Sequence, residues 1–105
     1  MKPLRPSELA ERLQRGDKLV LLDVRQPGEL EICCLPQVVA IPLGELTARY
    51  QELDPEAEIV CICHHGIRSA RAAGFLAQVG FERIHNLTGG IDAWACEVDP
   101  KMARY

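Results

Sequence analysis

Apolar positions along the chain switch repeatedly between two periods, that of a helix and that of a buried strand. Over Pro6–Gln14, Leu9 and Leu13 stand four apart. That spacing predicts a short amphipathic helix with both leucines inward, begun near Pro6 or Ser7 and stopped by Gly16. Leu19–Val24 is apolar except for Asp23, the pattern of a strand covered on both faces. Gln26–Ile32 predicts a short helix entered through Pro27. Val38–Ile41 predicts a strand closed by Pro42. Leu43–Leu53 reads as a helix or helical turn with Leu46 and Tyr50 on one face, and Asp54-Pro55 ends it.

Ile59–Cys63 is a short run of β-branched residues and cysteine, which predicts a buried strand. From Ser69 onward come strong helix formers, with Ala72, Phe75, Leu76 and Val79 at helical spacing, as far as Gly80. A short strand is expected around Ile84. Gly89-Gly90 permits a tight approach to a last helix over Ile91–Glu97. Asp99–Tyr105 reads as a polar tail that frays or packs along the surface. Strands alternating with helices imply an α/β fold, a mostly parallel sheet between two helix layers.

A length of 105 residues implies one domain, 1–105, burying roughly 60 to 70% of its unfolded surface. The chain is 48% hydrophobic and 26% charged with a formal net charge of -3. No basic cluster is long enough for a phosphate backbone, so neither nucleic acid nor an acidic membrane is an expected partner. No apolar stretch approaches a membrane span, and the N-terminal region has no signal-peptide core. A cytoplasmic location is expected. Five cysteines, an odd number with Cys33 and Cys34 adjacent, do not form an extracellular disulfide pattern; reduced thiols fit better. Cys61 and Cys96 read as small hydrophobic filler.

The chemistry centres on Cys63-His64-His65-Gly66-Ile67-Arg68-Ser69. A strand that turns straight into a helix leaves several N–H groups unpaired around one small space. Cys63 is expected at the lip of that space, a nucleophile whose thiolate is favoured by the helix end and by Arg68. The amides of residues 64–69 would surround its sulfur, and Gly66 would let the loop curl. Arg68 is expected either to bind an anionic donor or to brace the loop through Asp23 or Glu29. Ser69 bonds within the loop or caps the helix. Arg25 and Glu29 form a local pair, or simply a solvated surface pair. His64 and His65 shape the rim. A metal held by them with Cys61, Cys63 and Cys34 is disfavoured by the spacing, and no metal or organic cofactor is expected. His85 is expected to be a satisfied residue beside a strand.

The same loop resembles the Cys-x-x-Gly-x-Arg-Ser loop of the rhodanese family of sulfurtransferases. Asp23-Val24-Arg25-Gln26-Pro27-Gly28-Glu29 is similar to the family's Asp-Val-Arg-x-x-x-Glu. Leu35-Pro36 with Ala40-Ile41-Pro42 is similar to its His-Ile-Pro-Gly-Ala-x-x-Ile-Pro segment, and Asn86-Leu87-Thr88-Gly89-Gly90-Ile91-Asp92-Ala93-Trp94 resembles its Leu-x-Gly-Gly-x-x-x-Trp signature. The resemblance implies a small doubly wound parallel sheet in three α/β/α layers. It implies that Cys63 takes sulfane sulfur from a small donor such as thiosulfate and passes it, as a persulfide, to a thiol, a protein or cyanide. It also implies that Asp23 supports the loop from below. Two other readings remain: a weakly catalytic or non-catalytic protein-binding module, and a redox sensor. A phosphatase would need Arg one residue later, where Ser69 stands, and a longer loop. The chain departs from the family where Cys33-Cys34 precede Leu35-Pro36, which makes Cys34 a candidate resolving thiol.

Overall fold

Two of the apolar runs are apolar on both sides because helices cover both sides. In the computed structural model, which describes Met1 to Tyr105, β2 (Val20–Asp23) lies parallel to β4 (Ile59–Ile62), with Val20 opposite Ile59 and Asp23 opposite Ile62. On the other side of β4 runs β5 (Ile84–Leu87), with Cys61 opposite Asn86. Two short strands close the edges: β1 (Lys2–Leu4) beside β5 and β3 (Val39–Ala40) beside β2. The sheet order is β1-β5-β4-β2-β3, parallel throughout.

Residues of β4 alternate between two cores. Ile59 and Cys61, with Cys63 just past the strand end, join Leu22, Val24 and Ile84 beneath α3 (Leu46–Arg49) and α4 (Ile67–Gln78). Val60 and Ile62 join Leu4, Leu21 and Leu87 against Leu9 of α1 (Pro6–Gln14) and Ile91 and Trp94 of α5 (Gly90–Glu97). The result is the three-layer α/β/α arrangement. Each fully buried aliphatic side chain contributes roughly 1.5–3 kcal/mol.

Some expectations need correction. Leu13 is exposed rather than inward; Leu9, with Pro6 and Ala10 beside it, forms the inner face of the short α1, while Arg12 reaches across to Glu58. Val79 is likewise exposed, because α4 has ended and Phe81 turns in instead. The Leu43–Leu53 segment takes the helical-turn form of the expectation, one α turn between two 3-10 turns, Leu43–Glu45 and Tyr50–Glu52. Leu46 is buried there and Tyr50 meets Phe75 edge-on at 5.3 Å. The strand β1 carries Lys2 and Pro3, which obscured it in the sequence; an edge position tolerates a proline. The short helix α2 (Pro27–Ile32) starts at its proline as expected.

Candidate active site

The C-terminal ends of β2, β4 and β5 meet beneath one loop, where ligand sites of parallel sheets form. β4 ends one residue before Cys63. Gly66 has φ 97°, in the left-handed region, and the chain doubles back so that α4 begins at Ile67. The turn brings the Gly66 N–H to Cys63 Sγ at 3.0 Å. Ser69, in the first turn of α4, sets its hydroxyl 3.3 Å from the same sulfur. Of the loop amides, Gly66 is the one bonded to the sulfur. The N-terminus of α4 adds its partial positive charge.

Cys63 does not stand at the lip. The residue is 1% exposed, because the first turn of α4 folds over it. Cys61, deeper on β4, has its thiol pushed up to about 12 by burial and then by Cys63. A thiol so held stays protonated and unreactive.

The loop is braced from two sides. Asn86 of β5, to which the sequence pattern assigns no role, accepts the Ser69 hydroxyl at Oδ1 and donates from Nδ2 to the Gly66 carbonyl at 3.1 Å. At the start of α5, Ile91 N–H donates to the Cys63 carbonyl at 2.8 Å and Asp92 N–H to the His64 carbonyl at 3.1 Å. These carbonyls face α5, and in a trans peptide the following N–H points the opposite way. Gly90 allows the approach: a Cβ there would overlap the carbonyls of both Cys63 and His64, and its φ is 65°.

Arg68 makes a two-pronged pair with Glu29 of α2, at 2.7 and 2.8 Å. Arg68, aided by Tyr105, holds the Glu29 carboxyl well below its usual range against the opposing effect of burial. Of the two roles expected for Arg68, the pair matches the brace. Arg25 does not pair with the Glu29 carboxylate, nor is it a surface group. It is fully buried and clasps the equally buried Asp23 at 2.7 to 3.1 Å. Its remaining donors reach the Cys33 carbonyl at 2.8 Å and the Tyr105 hydroxyl at 3.1 Å. Burial opposes the Arg25 charge, but Asp23 and Tyr105 outweigh it and raise its pKa.

Tyr105 is the second residue missed from sequence. Its hydroxyl donates to Glu29 at 2.6 Å and its ring stacks on His64 at 3.8 Å. His64 Nε2 lies 2.8 Å from the Tyr105 main-chain oxygen. Arg104 beside it pairs with Asp92 at 3.0 Å. The tail therefore packs across the site; one aromatic residue in a polar segment was the only sequence sign. His65 and Ile67 are exposed on the rim, His65 4.0 Å from Asp92. Cys34 is exposed, whereas Cys33 lines a recess with His64 and Tyr105. Cys33, not Cys34, borders His64 and Tyr105, and the extended backbone at Cys33 turns its neighbour outward.

The family model for the rhodanese-like domain matches residues 5–97. A protein named Sulfurtransferase from Allochromatium vinosum is 34% identical over 83% of this chain and 81% of its own length. Rhodanese-like/PpiC domain-containing protein 12 of Arabidopsis thaliana is 34% identical over the whole of this chain, which spans 38% of that relative. The crystal structure of a rhodanese-related protein from Thermoplasma volcanium superposes with a TM-score of 0.86 at 33% identity, over 93% of this chain and 94% of that one. With this match of sequence, architecture and loop, the chain belongs to the rhodanese-like domain family.

Proposed function

We propose that the protein is a sulfurtransferase in which Cys63 carries sulfane sulfur as a persulfide. The supporting observation is one sulfur atom, at the end of β4, held by the Gly66 amide and the Ser69 hydroxyl at a helix N-terminus. Such donors stabilise charge that develops on sulfur. The Cys63 thiolate attacks the outer sulfur of thiosulfate; a new S–S bond forms, the old one breaks, and sulfite leaves with the bonding pair. A thiol, a protein thiol or cyanide then attacks the outer sulfur of the persulfide, and Cys63 departs as thiolate. No metal or organic cofactor takes part. Arg68 and Glu29 hold the loop, Asp23 and Arg25 support it from below, and His64, His65 and Ile67 form the rim that a donor passes. Five free cysteines fit a reducing cytoplasm.

Burial of Cys63 favours a second reading, a module that delivers sulfur only when a partner opens the rim. Incubation with thiosulfate followed by peptide mass mapping tests the first. The expected result is one added sulfur atom on Cys63, lost in Cys63→Ala together with all transfer to cyanide. A protein that gains no sulfur alone, but gains it with an acceptor protein present, supports the second.

A further inference from the structure

We infer that Asn86 is a positioning residue for the Cys63 thiol, acting through Ser69; this rests on Cys63 being the reacting sulfur. Ser69 has one hydroxyl proton and two neighbours placed to take it, Cys63 Sγ and Asn86 Oδ1. The far end of the amide fixes its orientation. The Gly66 carbonyl can only accept, so Nδ2 faces it and Oδ1 faces Ser69.

In the thiol state every proton has a place: S–H to Ser69 Oγ, and Ser69 O–H to Asn86. Ionised sulfur can only accept. The Ser69 hydroxyl then swings to Sγ and leaves Asn86 Oδ1 without it. Forming the thiolate therefore gives up two hydrogen bonds, S–H to Ser69 Oγ and Ser69 O–H to Asn86, for the single charge-assisted one from Ser69 to Sγ, and Asn86 sets that balance. Once Cys63 carries a second sulfur, Sγ is neutral and a weak acceptor, and the proton returns to Asn86. The Gly66 amide bonds the sulfur in either state, so Ser69 is the donor that moves.

The titratable and charged groups packed about the Cys63 loop are Cys61 on β4, Arg68 from α4, Glu29 from α2, Asp23 and Arg25 at the end of β2, His64 in the loop, Asp92 at the start of α5, and Tyr105. Asn86→Ala and Ser69→Ala alter none of these, so a change in the pH profile of those variants reports the Ser69 proton.

The test is the rate of iodoacetamide alkylation at Cys63 against pH, followed by peptide mass mapping in the whole protein. Asn86→Ala is expected to move the midpoint to lower pH and to speed alkylation at neutral pH by a factor of about three to ten, the worth of one hydrogen bond. In a Ser69→Ala background the same substitution should leave the midpoint unmoved. An equal shift in both backgrounds, an upward shift, or a Cys63 that no pH renders alkylatable overturns the assignment. Asn86→Asp adds a carboxylate that disfavours a nearby thiolate in any background, so its upward shift is expected to be larger with Ser69 present than in the Ser69→Ala background; an equal shift in both overturns the assignment. Alkylation reads the thiol whether or not sulfur is transferred. Failure of the positioning role is therefore distinct from failure to load sulfur from thiosulfate.

Discussion

Arg25 is a guanidinium with no exposed surface. Burying such a group is tolerable only with matched acceptors, and Asp23, the Cys33 carbonyl and Tyr105 supply them. Removing one partner strands the other. Arg25→Leu should therefore lower stability by about 3–5 kcal/mol, read as a fall in the urea midpoint with unchanged slope. The double variant Asp23→Leu with Arg25→Leu should recover much of that loss. Both residues stood out in the sequence, but their pairing did not. The four-residue spacing of Arg25 and Glu29 suggested a local contact, whereas the strand end at Asp23 turned Arg25 inward and left Glu29 for Arg68. Cys63, Gly66 and Arg68 were legible because their spacing is itself chemical. Asn86 and Tyr105 were not, because their contacts are made across the fold to segments distant in sequence.

At the scale of elements, the alternation of strands and helices was readable wherever the apolar period was long enough. The central strands β2 and β4 and helices α1, α2 and α4 lie where the pattern put them, within a residue or two. What the pattern missed was short: three residues of β1 containing a proline. The junction of β5 with α5 carries the sharpest test. Gly90→Ala places a methyl against the carbonyls of Cys63 and His64 at a positive φ. The expected loss is about 1–3 kcal/mol for the strained backbone alone. Sulfur loading of Cys63 should fall with it, measured by thermal unfolding beside peptide mapping. A variant of unchanged stability and loading would show that α5 does not set the loop.

Over the whole molecule, charges are tied at both ends of the sheet. At the end away from Cys63, Glu58 takes a two-pronged pair from Arg12 at 2.6 and 2.8 Å, with Arg83 at 3.1 Å and His85 at 2.7 Å. The other ring nitrogen of His85 is buried without a partner, so that residue is only half satisfied. Arg12 first, then His85, hold the Glu58 carboxyl down to about 2 against the usual 4.5. A depressed carboxyl means that the folded chain binds fewer protons than the unfolded one. The stability it contributes is whole above pH 4.5 and drains away as pH falls to about 2. Glu58→Gln should cost about 2 kcal/mol at neutral pH and flatten the acid limb of stability against pH in that window, read by urea titration. The anchoring of the loop to α5 has a further consequence. Because the Cys63 and His64 carbonyls are already bound to Ile91 and Asp92, the cradle takes its shape during folding, not on meeting a ligand. If Cys63 takes up sulfur as proposed, little ordering entropy is left to lose, and the backbones with and without that sulfur should superpose.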